Sequence, residues 1–246
     1  MRTDGEVDTR EGRADALLPF ARRLVGALEE GCGGGAQAPG RVRHVRLRVL
    51  GVPALLLFRP DAAEVRRRVD TGQPPILRLG VLEALMGLPL GEPVPDKALT
   101  ERERYLLRAA PRAALRRDGP DVVRLASAPL RVEMVVVEAP SWRTALRRAG
   151  RFPPTSARVA VAGRRPRDGT VAAYEADYYG IGLGARCRGG TGEGGGVCAL
   201  VAPAPGLRRH TAVTWKFSEL VLAGAGEAEV LASAAPGTGA ASRPHP

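Results

Sequence analysis

The run Leu130-Arg-Val-Glu-Met-Val-Val-Val-Glu138 constrains this chain more than any other segment. A strand with one wet face alternates polar and apolar residues. Here Val132 and Met134 to Val137 leave almost no polar position, so both faces of the strand need cover. Helices must then pack on the two sides of a sheet. The following residues agree: helical spacing over 141–151, a strand over 157–162, a helix over 170–178 and a strand over 180–186. Strands alternating with helices spell an α/β domain. A further strand is expected at Val197–Val201 and a closing helix over Thr211–Leu222, with Val213, Phe217, Leu220 and Val221 inward and Trp215 packed.

Upstream the pattern is mixed. Leu17, Phe20, Ala21, Leu24 and Leu28 give a helix over 14–30, and the glycine-rich stretch 31–40 reads as a loop. A strand over 41–50, the turn Gly51-Val-Pro53 and a strand from Ala54 to Phe58 make a hairpin. Arg41, Arg43, Arg46 and Arg48 are expected along one exposed face of it, a stripe suited to phosphates; a merely solvated face is the ordinary alternative. Asp61 caps a helix over 61–70, an apolar helix covers 76–88, and 89–95 is a linker. Thr100 with Glu103 forms a capping box that opens a helix through Leu115. The domain plan is a disordered tail at 1–13, an N-terminal helical and hairpin region at 14–117, an α/β core at 118–223 and a low-complexity tail at 224–246.

The net charge of +11 and the pI near 10.8 favour a polyanionic partner. Lys97 and Lys216 are the only lysines, so the charge is carried by arginine; a GC-rich genome, as in many bacteria, also raises arginine content. Cys32, Cys187 and Cys198 are too few for a disulfide framework, and the scattered His44, His210 and His245 give no zinc spacing. No apolar stretch reaches the roughly 18 residues of a membrane span. A cytoplasmic protein without a membrane partner is expected.

Asp121, the strand closing at Glu138, Trp142-Arg-Thr-Ala-Leu146, Phe152 and Tyr179-Gly-Ile-Gly-Leu183 stand in an order and spacing that resembles the core of the restriction-endonuclease-like superfamily. The resemblance implies a mixed sheet flanked by helices, here preceded by an N-terminal α+β region with a basic hairpin. It also implies a Mg²⁺-dependent site, in which an aspartate opens one strand and a Glu-x-Lys closes the next. Asp121 matches the first acid. Counted back from Trp142, Val136 falls at the glutamate position and Glu138 at the lysine position, while Arg148 stands where the helix glutamine occurs. The only catalytic candidates, Asp121 and Glu138, are therefore read as vestigial, with no metal and no cofactor expected.

Arg143, Arg147, Arg148 and Arg151 on the helix over 141–151 join the hairpin arginines as candidate phosphate contacts. The expected function is nucleic-acid binding by a catalytically degenerate nuclease-like domain, a pseudo-enzyme acting as a regulator or accessory subunit. The alternatives are an active Mg²⁺-dependent nuclease using Asp121 and Glu138, and a structural subunit that binds protein partners in a larger complex.

Overall fold

The computed structural model describes residues 8–31, 41–187, 196–226 and 230. The expected C-terminal tail and most of the glycine-rich stretches 31–40 and 188–196 lie outside the described residues. The first helix, α1 (Asp8–Gly31), begins inside the segment expected to be a tail. The basic hairpin follows as β1 (Arg43–Val49) and β2 (Val52–Pro60), then α2 (Ala62–Thr71), capped by the Asp61 carboxylate, and α3 (Leu79–Met86). A short strand, β3 (Pro93–Pro95), replaces the expected linker.

The Thr100–Glu103 capping box opens α4 (Glu101–Arg108), but the helix does not run to Leu115. Pro111 has no N–H to continue the ladder and disfavours helical geometry at Ala110. Leu115 instead begins β4 (Leu115–Asp118), which turns at Gly119 into β5 (Asp121–Arg124). Then come β6 (Leu130–Ala139), α5 (Trp142–Ala149), β7 (Ala157–Ala162), α6 (Gly169–Tyr178), β8 (Ile181–Arg186), β9 (Val197–Val201) and α7 (Ala212–Ala225).

The fold is α/β, with a mixed six-stranded sheet in the order β1-β2-β6-β7-β8-β9. β6, β7 and β8 run parallel, and β2 and β9 are antiparallel to their neighbours. The β1–β2 hairpin is therefore part of the same sheet as β6 to β9, and a division at residue 118 does not follow the sheet. β6 is covered on both faces, as its apolar run requires. Val135 and Val137 pack with α5 and α7, through Trp142, Ala145, Leu146, Phe217 and Val221. Met134 and Val136 pack with α1 through Leu17, Phe20 and Ala21. Burying each such valine contributes about 1.5–3 kcal/mol. Gly180, at φ 61°, turns the chain from α6 into β8 in a conformation that favours glycine. At Gly182 a Cβ would stand 2.9 Å from Pro203, so this glycine admits the segment after β9.

A second, three-stranded sheet has the order β3-β5-β4. It shares a core with α3 and α4 built on Leu82, Leu85, Leu107, Val122 and Trp215. β5 was expected beside β6, but it is paired on both sides inside this small sheet. Cys187, just past β8, and Cys198, on the adjacent antiparallel strand β9, are disulfide-bonded. No helix among the described residues is long and apolar enough to cross a membrane.

Candidate nucleic-acid interface

The paired positions Arg46↔Leu55, Leu55↔Val136 and Val136↔Val159 run in one row across the sheet, on the face that carries α1. Next to it stand Arg48↔Pro53 and Glu138↔Val161. α1 covers the middle of this face and leaves its end open, where β6 and β7 terminate. There a pocket of about 910 Å³ lies between α1, the hairpin and the two strand ends. Leu17, Leu55 and Val136 give it an apolar floor, and Arg46, Arg48, Glu138 and Arg164 are its charged residues. In open α/β sheets the carboxyl ends of the strands are the usual ligand edge. Ser141, the N-cap of α5, reaches the rim, where helix amides add positive partial charge.

Glu138 is paired with an arginine. Arg186, at the end of β8, holds it with two parallel hydrogen bonds, Nε to Oε1 at 2.7 Å and Nη2 to Oε2 at 2.9 Å. The Arg186 side chain is 10% exposed and that of Glu138 is 32% exposed, so the arginine is shielded and the acid is part-open to the pocket. Arg48 donates to the Gly51 carbonyl at 3.1 Å, and neither Arg48 nor Arg164 has an ion-pair partner among the described residues.

Among the described residues the pocket holds one carboxylate, already paired with Arg186, and lacks the second acid that the resemblance implies for a Mg²⁺ site. Neither strand beside β6 supplies an acid at this end: β2 opens with Val52, Pro53 and Ala54, and β7 closes with Val161 and Ala162. Asp121 sits at the start of β5, in the other sheet, paired with Pro95 and Asp118. Val136 is 1% exposed and apolar. Glu133 is not a substitute: β2 and β6 slip register beside it, and Arg59 and Arg131 engage it. No group of three or more His, Cys, Asp or Glu side chains among the described residues is placed to hold a metal.

The structure divides the expected phosphate contacts. Arg46 and Arg48 are brought to the pocket, but Arg43 is not on their face. Strand alternation sends it to the side of Val45 and Leu47, where α7 packs, and Arg41 precedes the strand. α5 lies on the opposite face of the sheet. Arg143, Arg147 and Arg151 are exposed there, Arg148 is half-buried, and Arg143 stacks on the Trp142 ring at 4.5 Å. Sequence reasoning missed Arg164 and Arg186. Their signal was positional: each stands at or just after the end of an apolar strand, 157–162 or 180–186, in a sheet with parallel strands. Comparison with protein-family models, curated proteins and solved structures finds no match to this chain.

Proposed function

We propose that this protein binds nucleic acid through a nuclease-like domain whose carboxylate set is incomplete, and that it acts as a regulator or accessory subunit rather than by cleaving its ligand. The observation that carries this reading is the pocket itself. At the carboxyl edge of the sheet, Arg46, Arg48 and Arg164 line the pocket with Glu138, the one acid among its described residues, which Arg186 engages. Such a site offers positive potential to a phosphate and lacks the ligands that would hold a divalent ion against it. The net charge of +11 supports the same class of partner.

Binding of a labelled oligonucleotide across a salt series tests the reading. Each phosphate contact contributes a slope of about 0.9 in log K against log salt, so Arg48→Gln with Arg164→Gln lowers the slope by about 2. Absence of binding at low salt would sink the proposal in favour of a protein-binding subunit. Cleavage in Mg²⁺ or Mn²⁺ that disappears in Asp121→Ala or Glu138→Ala would establish the active nuclease instead.

A further inference from the structure

We infer that the pocket at the carboxyl edge takes one unpaired nucleotide of a single strand, with a phosphate at Arg46 and Arg48 and an exocyclic amino group of the base at Glu138. This rests on the nucleic-acid reading of the same pocket and narrows its ligand from any phosphate to an unpaired, amino-bearing base.

Three chemically distinct zones lie in this one concavity. Arg46 and Arg48 stand exposed on β1, Glu138 stands on β6, and β2 runs between them. Arg46, Leu55 and Val136 form one row across the three strands. Arg48 and Glu138 each lie two residues farther on, in the same direction along the sheet. Two strand spacings, about 10 Å, therefore separate the hairpin cations from the acid. The lining between them is apolar, with Leu55 and Val136 at the floor and the exposed Pro53 beside them. The volume of about 910 Å³ falls within the roughly 300–1,000 Å³ of sites that enclose a small molecule. A phosphate alone engages the arginines and leaves the apolar lining in water.

Glu138 sets the direction in which a ligand lies. Arg186 takes one hydrogen bond at each carboxylate oxygen. A carboxylate has about four acceptor sites, so each oxygen keeps capacity for another donor. The Glu138 side chain is 32% exposed and lines the pocket, which opens that capacity to a ligand. The matching molecule is anionic at one end, apolar in its middle and a hydrogen-bond donor at the other end. A nucleotide of adenine, cytosine or guanine has its groups in that order, and thymine lacks the exocyclic amine. In a duplex each base is stacked between its neighbours, so only an unpaired base can lie on the apolar lining. Arg164 follows β7, on the other side of β6 from the hairpin, and lines the same pocket. Cations thus stand to both sides of Glu138. Successive phosphates of a strand meet both, whereas the one phosphate of a free mononucleotide meets only one.

The full chain is titrated at neutral pH and low salt with labelled oligo(dC), oligo(dT) of the same length, a blunt duplex and cytidine monophosphate. Oligo(dC) should bind about tenfold more tightly than oligo(dT), the scale of one hydrogen bond to a charged acceptor, and more tightly than the duplex. Glu138→Gln keeps an oxygen for Arg186 and brings donors of its own, so it should draw the two strands to parity. The parental comparison stands whether or not that variant folds. Equal affinity of the parent for the two strands, a duplex held as tightly as oligo(dC), or a preference that persists in Glu138→Gln overturns the inference. In each of those cases salt-dependent binding still upholds the broader nucleic-acid reading, whereas no binding of any strand at low salt sinks both. Cytidine monophosphate held as tightly as oligo(dC) overturns the strand as the source in favour of the free nucleotide.

Discussion

Glu219 is fully buried on α7, and four donors converge on its carboxylate. The Arg68 guanidinium of α2 supplies two at 2.7 Å, the Trp215 indole one at 2.8 Å and the Ile76 amide one at 3.0 Å. Arg68 is equally buried and also donates to Glu64 at 2.7 Å and to the Ser127 carbonyl at 2.8 Å. Burial works against the charged guanidinium, but the hydrogen bonds and charge of Glu219 and Glu64 outweigh it and hold its pKa above the ordinary arginine value. The cluster joins α2, α7 and the two segments that lead into and out of the small module, so it fixes that module against the large sheet. Replacing one partner of a buried pair leaves a charge uncompensated, at about 3–5 kcal/mol. Glu219→Gln keeps an acceptor and leaves Arg68 with Glu64, so it falls at the low end, about 3 kcal/mol. Glu219→Leu also orphans the Trp215 and Ile76 donors, at about 1–3 kcal/mol each, and falls above the range. Arg68→Leu with Glu219→Leu removes both charges, and Glu64 keeps Arg67 at 2.7 Å. The double variant should therefore cost about 2–3 kcal/mol less than the sum of the singles. Urea unfolding of the parent, both singles and the double variant closes the cycle. A Glu219→Gln loss under about 1 kcal/mol, or strict additivity, refutes this account of the cluster.

The Cys187–Cys198 bond closes a loop of sequence separation 11, and the chain-entropy relation gives it about 3 kcal/mol. Cys187→Ser, or a dithiol reductant, should lower the urea midpoint accordingly, and a parental midpoint insensitive to reductant would contradict a formed bond. Burial first, and the Arg124 charge second, hold the His210 pKa below its ordinary 6.5. The unfolded chain then binds this proton more tightly than the folded one, so His210 contributes stability that is fully present above about pH 6.5 and is lost as pH falls from there through its lower folded pKa. His210→Asn should flatten that part of the stability profile, by a small amount because the ring is more than a third exposed. An unchanged profile would show that another group sets the slope.

Local patterns were legible; distant partners were not. The apolar run 132–137, the helical spacing after Trp142 and the capping box at Thr100 each specify an element from within a few residues, and each forms. Nothing local to 121–124 distinguishes a strand of the large sheet from one of a small antiparallel sheet, because pairing is decided by register with segments far along the chain. The same holds for the hairpin at 43–60, which was legible as a hairpin but not as the neighbour of β6. Arg43 is the opposite case. The two-residue alternation with Val45 already placed it away from Arg46 and Arg48, and a stripe including all of them does not respect that period. The Glu138–Arg186 pair spans the intervening β7, so its geometry arises only once three strands are in register.

Under the proposed function, the valine at 136 and the arginines at the pocket have one electrostatic meaning. A metal-dependent site meets a phosphate with a divalent cation, and its carboxylates serve to hold that cation in place. Without the second carboxylate the cation is not held, and an apolar floor with one exposed acid would repel a phosphate. Arg186 removes that repulsion by neutralising Glu138, and Arg46, Arg48 and Arg164 restore the positive potential with charges fixed to the backbone. Arginine stays protonated and supplies no activated water, so the site as proposed would hold a phosphate without a metal-activated nucleophile. A pocket built this way should grip its ligand equally well with chelator present, the opposite of a site in which the metal is the contact.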